Sequence, residues 1–502
     1  MPGNCFRAPK GSHGVTSARG GIESAMPIYE TFTQRRRAID PSPGDSCKAA
    51  WMRTILSLCI ATSLALIALH AQIPKPAGGA ASAPNPVAGD PFVKNADATP
   101  ADGAEGQWRN VVLVLEVYAL PKDDALAILE SERGSAARYQ RVLDLAKTKK
   151  ARLEILTALT TKSGNRAVTE SVDEVRYATK FERGAAKGTP AVASTFEIRN
   201  VGDTLEFEPV IGPDGRTCDL ALVPQRISLA GFRELAAAPG DSAVARPRFI
   251  SQRLTTNTTL ESDAPHYLGT LTPPSENGIA DGAAAEIWLT FLRVHVHGPV
   301  AGEVKPPTKP FDWTAVNLEY SVYSLDRAQA REILIAMPTL EAPWDKLQGL
   351  LREKHAQFEH LVAIKTKSGQ RASAQEDDEL PYVNEYAGHA DGTPGAPSEI
   401  ATREVGLTLE VEPLIGPDGL TIDLSHVVNS VAHLGNIKTG HAPMFLDQPL
   451  FQTRKVTTNQ SITAGRHMLV GTFNPPGANG VNERDDDGRT CLLFVRALPN
   501  EP

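Results

Sequence analysis

The chain has 502 residues, of which 41% are hydrophobic and 22% charged, and its net charge at pH 7 is −8. This length allows two or three domains of ordinary globular composition. The acidic balance argues against a general nucleic-acid binder, because such proteins present a basic face to phosphates. The 5 cysteines follow no zinc-binding or CxxC spacing, so they predict no metal site.

An uncharged apolar run, ILSLCIATSLALIALHA, occupies residues 55–71 and closely follows Met52. A short apolar run behind a positive charge is typical of a secretory signal peptide. We therefore predict a signal peptide at 52–71, with Met52 as the natural start, and an unstructured upstream extension at 1–51. The alternative is an uncleaved N-terminal anchor with Arg35–Arg37 on its cytoplasmic side.

One sequence pattern occurs twice in the remaining chain. Residues 113–167 align without a gap with residues 318–372, and both stretches contain TKSG followed by Arg-Ala. Three later motifs also recur in order: GPDG at 212–215 and 416–419, TTN at 255–257 and 457–459, and GT at 269–270 and 471–472. We refer to positions that align in this way as counterparts. The repetition predicts two tandem domains at 109–298 and 313–500, a disordered Ala/Pro/Gly-rich linker at 72–108, and a Pro-rich linker at 299–312.

Each copy opens with an apolar strand, VVLVLEVYAL in the first and VNLEYSVYSL in the second. Two helices are predicted next: Pro121 stands where a helix start tolerates it, and Ala125, Ile128 and Leu129 form one apolar stripe. After TKSG, apolar and polar residues alternate with the period of a half-buried strand. The predicted fold class is α+β, mainly antiparallel β, with a short helical lead-in before a hairpin-rich sheet in each copy.

The repeated GPDG loops raise a choice between a turn and a site of chemistry. Asp214 and Asp418 lie between two alternating runs, each flanked by Pro and Gly. Pro fixes φ near the value of the second turn position, Asp hydrogen-bonds its own backbone, and Gly accepts positive φ. We therefore interpret both loops as hairpin turns, without a catalytic or calcium-binding role. Pro209, just before the first loop, predicts an edge or a bulge of its strand.

The stretches around these loops resemble the core of the bacterial secretins of type II and type III secretion systems. In that family a G-x-x-L-x-V-x-P-x-I strand is followed by a D-G turn and a return strand. The matching positions are Gly202, Leu205, Phe207, Pro209, Ile211, Asp214, Gly215 and Leu220 in the first copy, and Gly406, Leu409, Val411, Pro413, Ile415, Asp418, Gly419, Ile422 and Leu424 in the second. The chain also resembles exported secretin-like proteins of verrucomicrobial-type bacteria.

The resemblance implies an envelope protein without enzymatic activity, associated with the outer membrane or periplasm and linked to protein secretion. It also implies protein partners, or self-association, through β-sheets. Three features depart from the family pattern. The predicted disordered linker stands where the family has several small ring-building domains, and one chain carries two cores. The hairpin after TTN is eroded to SDAPHYLGTL at 262–271 and AGRHMLVGTF at 464–473. The eroded hairpins and the missing ring domains favour an alternative, a soluble extracytoplasmic scaffold or binding module that keeps only the core fold.

Other polar motifs predict no site. His295 and His297 share a strand face but have no third ligand in view, so we expect a polar surface feature and no metal. The acidic run at 484–488 lacks the ligand spacing of a calcium loop. Cys218 and Cys491 are expected to be buried thiols. Because there is no nucleophile elbow, P-loop or dinucleotide motif, we predict no catalytic residue and no cofactor.

Overall fold

The computed structural model describes eight stretches of the chain: residues 109–183, 191–235, 244–273, 285–298, 311–387, 395–441, 444–474 and 488–500. All of them belong to one compact unit, Ala80–Pro502. The predicted extension, signal peptide and first linker, and all but two residues of the second linker, lie outside the described residues. Their boundaries and those of the two domains stay predictions. We call 109–298 the first segment and 313–500 the second segment.

Both segments consist of antiparallel strands with two helices near the start. The first segment contains β1 (Asn110–Pro121), α1 (Lys122–Ser131), α2 (Ser135–Lys147), β2 (Arg152–Lys162), β3 (Ala167–Arg183), β4 (Ala191–Ile211), β5 (Thr217–Leu235), β6 (Val244–Arg253), β7 (Thr256–Glu261), β8 (His266–Leu271) and β9 (Glu286–His297). The second contains β10 (Val316–Asp326), α3 (Arg327–Ile335), α4 (Ala342–Arg352), β11 (Ala356–Thr366), β12 (Ala372–Tyr386), β13 (Pro397–Ile415), β14 (Thr421–His441), β15 (Met444–Thr463), β16 (His467–Phe473) and β17 (Arg489–Pro499). The predicted fold class, α+β and mainly antiparallel β, is confirmed.

The strands form two sheets, and both sheets run through both segments. Sheet A has the order β11-β10-β17-β16-β2-β1-β9-β8. Sheet B has the order β12-β13-β14-β15-β3-β4-β5-β6, and β7 pairs with β5 beside β6. In each sheet the second segment supplies the first four strands and the first segment supplies the others. The two segments therefore meet at two junctions, β16 with β2 and β15 with β3.

Sheet A is the middle layer of the molecule. Every residue of β1 from Asn110 to Leu120 is buried, because sheet B covers one face and the helices cover the other. On the helix side, Ala125 and Ile128 of the predicted stripe pack with Tyr118 and Phe291. Full burial of such a side chain stabilises the fold by ~1.5–3 kcal/mol relative to its exposed state. A strand buried on both faces reads as a continuous apolar run, as VVLVLEVYAL does.

Pro209 stands at the margin of the sheet, as its lack of an N–H requires. The ladder between β3 and β4 ends at Phe207, so Pro209 has a ladder partner only on the β5 side. Its carbonyl accepts a hydrogen bond from the N–H of Gly164, 2.7 Å away, in the TKSG turn. Pro413 accepts the same bond from Gly369 at 2.7 Å. Pro209 thus lies past the end of the β3 ladder, although β4 itself is an interior strand of sheet B, and each proline anchors the turn of the neighbouring hairpin.

Candidate functional site

The two GPDG loops are turns, as predicted. Gly215 donates to the Gly212 carbonyl at 2.9 Å and has φ of 68°. Oδ1 of Asp214 accepts from the backbone N–H groups of Arg216 and Thr217 and from the Thr217 hydroxyl, at 3.0, 2.9 and 2.8 Å. These bonds, that of the Thr217 backbone first, lower the pKa of Asp214. The carboxylate thus holds its own loop in shape.

The two histidines of the first segment are buried, so the prediction of a surface feature is wrong. His295 and His297 stack with their ring centroids 6.0 Å apart, and His295 Nδ1 lies 2.7 Å from Oδ1 of Asp263. Burial lowers the pKa of both rings, to about 4 for His297. The neutral pair is covered because β9 lies inside sheet A, a position that the local sequence does not reveal. The described residues contain no group of three or more His, Cys, Asp or Glu side chains placed to hold a metal ion.

The remaining sequence candidates divide between core and undescribed chain. Cys218 and Cys491 are buried on β5 and β17, as expected, and burial raises the pKa of the Cys218 thiol to about 11. Of the acidic run at 484–488, only Gly488 lies within the described residues. No helix in the described stretches is long and apolar enough to cross a bilayer.

A small cavity lies between the two sheets, lined by the first segment together with Thr472 and Asn474 of the second. Its volume is about 20 Å³, and Asp203, Arg226 and Gln252 contribute polar groups to its wall. Space of this size holds about one water molecule, whereas pockets for small organic ligands span several hundred Å³. The cavity is therefore a packing defect beside buried polar groups and does not form a substrate site.

A buried polar cluster lies where the segments meet. Glu116 on β1 is 2% exposed, and its carboxylate accepts hydrogen bonds from Tyr118 at 2.8 Å and Tyr139 at 2.6 Å. Arg331 of α3 pairs with the same carboxylate and donates to the Tyr139 hydroxyl at 2.5 Å. Burial and the negative charge of Glu116 raise the pKa of Tyr139 to about 12, so its hydroxyl stays protonated. Arg327, at the start of α3, donates to the carbonyls of Leu153 and Glu154 on β2.

Threonine hydroxyls join the two halves of sheet A. Thr472 Oγ1 on β16 lies 2.8 Å from the N–H of Ala158 on β2 and accepts its hydrogen bond. In return, Thr160 Oγ1 donates to the Leu469 carbonyl at 2.9 Å. Gly471 permits this approach, because a Cβ there would lie 2.8 Å from the Ala158 oxygen. The strands therefore adhere partly through side chains, with the Gly471–Leu159 pair as their only ladder pair within the described chain.

Charged and polar groups join the same junction near the GPDG hairpin. Nζ of Lys162, at the end of β2, lies 2.6 Å from Oδ2 of Asp423 on β14. Oδ1 of Asp423 accepts from the Ser461 hydroxyl at 2.6 Å. In sheet B, β3 pairs with β15 from Val168 to Glu174, and its acidic Glu170 lies opposite Lys455. Side chains of opposite charge thus face each other across the junction, Lys162 with Asp423 and Glu170 with Lys455.

Comparison with other proteins returns secretins among solved structures. No protein-family model and no curated protein matches the sequence. A type II secretin, GspD, from enteropathogenic Escherichia coli is 11% identical over 38% of this chain and 68% of its own, with a TM-score of 0.19. The GspD of the ETEC pilotin–secretin complex AspS–GspD is 7% identical over 78% of this chain and 49% of its own, at a TM-score of 0.19. The V. cholerae type IV competence pilus secretin PilQ is 8% identical over 78% and 61%, at a TM-score of 0.20.

The chain thus spans between about half and two thirds of these three secretin chains. With TM-scores near 0.2, these likenesses are too loose to support a conclusion on activity or assembly.

Proposed function

We propose that this chain is an exported, non-enzymatic envelope protein, in the outer membrane or periplasm, that associates through its secretin-like sheets and serves protein secretion. The observation that carries this proposal is the continuity of both sheets across the segment junctions. The two similar segments pair through strand edges in both sheets, β16 with β2 and β15 with β3. Such pairing is expected of a module that associates through its sheets. The sequence at 52–71 supports export.

Fractionation of cells tests the export part of the proposal. We expect the chain to be found in the periplasm or the outer membrane, and to stay in the cytoplasm when residues 52–71 are deleted. A matched control keeps this stretch and removes only residues 1–51, upstream of Met52. Recovery of the intact chain from the cytoplasm would contradict the proposal, and so would the same distribution with and without residues 52–71.

A soluble extracytoplasmic scaffold is the second candidate, and one contact favours it. The far end of β12 bridges back to β4, with Glu385 opposite Thr195. Beside this bridge, Arg176 of β3 donates to Asn384 and lies over the Tyr382 ring at 4.1 Å. This single bridge ties the far end of β12 to β4 within one molecule, which fits a self-contained body. Washing of envelope membranes with carbonate separates a scaffold, which is released, from the outer-membrane form of the first candidate, which is retained.

A further inference from the structure

We propose that the two outer edges of this chain bind each other between molecules, so that a second copy docks head to tail in the manner of the internal junction. The inference rests on the proposed sheet association and names its surfaces. The front edge consists of β6, β7 and β8 of the first segment. The back edge consists of β11 and β12 of the second segment.

The topology makes these edges the two halves of a junction that already exists in the chain. At the internal junction, β16 and β15 of the second segment meet β2 and β3 of the first. The counterparts of β16 and β15 are β8 and the pair β6 and β7, which form the front edge. The counterparts of β2 and β3 are β11 and β12, which form the back edge. Within the described chain, the single bridge from Glu385 to Thr195 is the one ladder contact on the outer side of either edge.

Side chains that are buried at the internal junction have exposed counterparts on the outer edges, as expected of edges that still lack a partner. Leu156 on β2 is 1% exposed, whereas its counterpart Leu361 on β11 is 53% exposed. Ala158 is fully buried and Ala363 is exposed. On the other side, residues 468–473 of β16 are all buried, and no residue of β8 is. Both outer edges thus expose surface that the internal junction covers.

The polar groups of the internal junction recur on the two edges. Asp219 on β5, beside the front edge, accepts from the Thr259 hydroxyl as Asp423 accepts from Ser461. The third member, Lys162, has its counterpart in Lys367, which is exposed beside the back edge. A second copy in the same register brings Lys367 of one molecule to Asp219 of the next. This contact repeats the ion pair that measures 2.6 Å inside the chain.

Gly269 on the front edge fits the same arrangement. Its counterpart Gly471 is required by the close approach of the Ala158 oxygen. Around Gly269, by contrast, no described atom beyond its chain neighbours lies within 4 Å of the position of a Cβ. A glycine with open space beside it suits a strand that must admit a neighbouring backbone. The back edge offers such a backbone at Ala363.

The Glu116–Arg331 ion pair of the internal junction has uncharged counterparts on both outer edges. Arg331 has Leu126 as its counterpart, and Leu126 is 41% exposed beside the front edge. Glu116 and Tyr139, which bind Arg331, have Ser321 and Trp344 as counterparts near the back edge. The proposed interface therefore contains neither the arginine nor the carboxylate. In it, Leu126 of one molecule lies near Ser321 and Trp344 of the next. Paired replacement of this kind is what two surfaces that meet require, because an unpaired buried charge is costly.

Net charge complements the match in sheet B. The strand β12 carries five acidic residues and no basic one, and four of the acids are consecutive at 376–379. The strand β6 carries three arginines, Arg246, Arg248 and Arg253, and no acid. Opposite charges on two surfaces steer their encounter and oppose association of like edges. The front edge therefore binds the back edge of another molecule in preference to its own kind.

A front-to-back interface is heterologous, so its repetition produces a closed ring or an open filament. The occupant of each edge is a second copy of this chain. A two-fold dimer, which would pair like edges, contradicts the proposal.

Charge exchange tests the interface in the full-length chain purified from cells. Sedimentation velocity over a concentration series should show oligomers larger than dimers for the native protein. Lys367→Asp or Asp219→Lys should weaken association about tenfold or more, because each places like charges at the contact. The double variant should restore it. Lys180→Asp, which alters an exposed lysine on the β3–β4 hairpin, is the matched control and should change nothing.

Disulfide trapping tests the register. Thr270→Cys and Ala363→Cys are counterparts of the Thr472 and Ala158 contact, and both sites are exposed. With Cys5, Cys47 and Cys59 replaced by Ser, the double variant should give a ladder of crosslinked multimers on oxidation. Either single variant, oxidised alone, should stay uncrosslinked. A thermal melt of each variant checks that the fold is intact.

Three results would overturn the proposal: a monomer at all concentrations, an oligomer indifferent to both charge variants, or crosslinking by a single-cysteine variant. Failure of the proposed function is a different outcome, because it is detected by the cellular location of the chain. An exported envelope protein that associates without using these edges would refute the interface alone.

Discussion

The strand β15 and the pair β6 and β7 have related sequences and different structures. β15 runs unbroken from Met444 to Thr463, whereas its counterpart in the first segment is interrupted at Leu254 and Thr255, between β6 and β7. The sequences at this point, RLTTNTT and RKVTTNQS, share TTN and the same alternation. The neighbours differ: β15 pairs with β3 from Phe451 to Thr457, and the outer side of β6 and β7 has no ladder partner in the described residues. Strand continuity here is set by a partner across the junction, as the context dependence of β-propensity leads one to expect.

The largest change in stability is expected when the Glu116–Arg331 ion pair at the internal junction is broken. Glu116→Ala leaves Arg331, whose side chain is 15% exposed, without its carboxylate, so we expect the free energy of unfolding to fall by ~3–5 kcal/mol. Urea denaturation followed by circular dichroism measures the loss. The control is Glu319→Ala, which removes a half-exposed partner of Arg496 and should cost about 1 kcal/mol or less.

Transfer of the outer-edge residues to the junction sharpens the same test. The triple variant Glu116→Ser, Arg331→Leu, Tyr139→Trp installs the counterparts Ser321, Leu126 and Trp344. Because a buried ion pair is often replaceable by packed apolar groups, we expect the triple variant to recover most of the stability lost in Glu116→Ala. A triple variant less stable than the single one would show that the two sites are not equivalent.

Acid should destabilise the chain through a buried histidine of the second segment. The Tyr320 hydroxyl lies 2.7 Å from Nδ1 of His426, and burial lowers the pKa of His426 to about 3. The unfolded chain therefore binds a proton between about pH 6.5 and pH 3 that the folded chain does not. Stability is present above this window and is lost as the pH falls, at up to ~1.4 kcal/mol per pH unit for one histidine.

The first segment supplies the control for this pH dependence, because the counterparts of Tyr320 and His426 are Leu115 and Leu222, both buried. The double variant Tyr320→Leu, His426→Leu should flatten the slope of unfolding free energy between pH 6 and pH 4, measured by urea denaturation at each pH. His295, whose pKa burial lowers, and His297 and His467, whose pKa values burial lowers to about 4, account for the slope that remains. An unchanged slope would exclude His426 as its source.

Gly471→Ala should have a smaller effect, confined to the sheet A junction. The added Cβ would lie 2.8 Å from the Ala158 oxygen, so β16 must move away from β2. We expect a loss of ~1–3 kcal/mol, typical of overpacking, and a lower melting temperature. Gly349→Ala is the opposite control, because a Cβ at that helical position meets no described atom within 4 Å. It should stabilise the chain by ~0.5–1 kcal/mol.

The turn acids should have the smallest effects. Asp418→Ala removes hydrogen bonds from the Leu420 and Thr421 N–H groups, both 2.9 Å long, and from the Thr421 hydroxyl at 2.6 Å. Because the loop is solvated, we expect a loss of about 1 kcal/mol, read from the denaturation midpoint. Asp214→Ala should cost less, since that loop is more exposed. A larger loss in either variant would indicate that the loop has a partner beyond its own hairpin.

Local features of the fold could be predicted from the sequence. The GPDG turns, the alternating strands and the helix that starts after Pro121 depend on residues a few positions apart. Their physical causes are the fixed φ of proline, the freedom of glycine and the two periods of apolar residues. The mainly antiparallel β class followed from these patterns.

The candidate site could not be predicted in the same way. Glu116 and Arg331 are 215 positions apart, and neither lies in a recurring motif. The burial of His295 and His297 depends on the position of β9 inside sheet A. Comparison of the two copies offered one signal for this site. Where a counterpart changes from charged to apolar, as from Arg331 to Leu126, the surroundings of the two positions differ.

The covalent link between the segments has a consequence for the kind of contact each interface can use. Because the linker holds both halves of the internal junction at high effective concentration, that junction forms once, during folding, and need not reopen. It can therefore retain a buried ion pair such as Glu116 with Arg331. The outer edges must stay soluble before they meet a partner, and Lys367 and Asp219 suit water as well as each other. In an assembly of such chains, permanent and exchangeable interfaces would alternate, and every second contact would be free of the translational entropy loss of association.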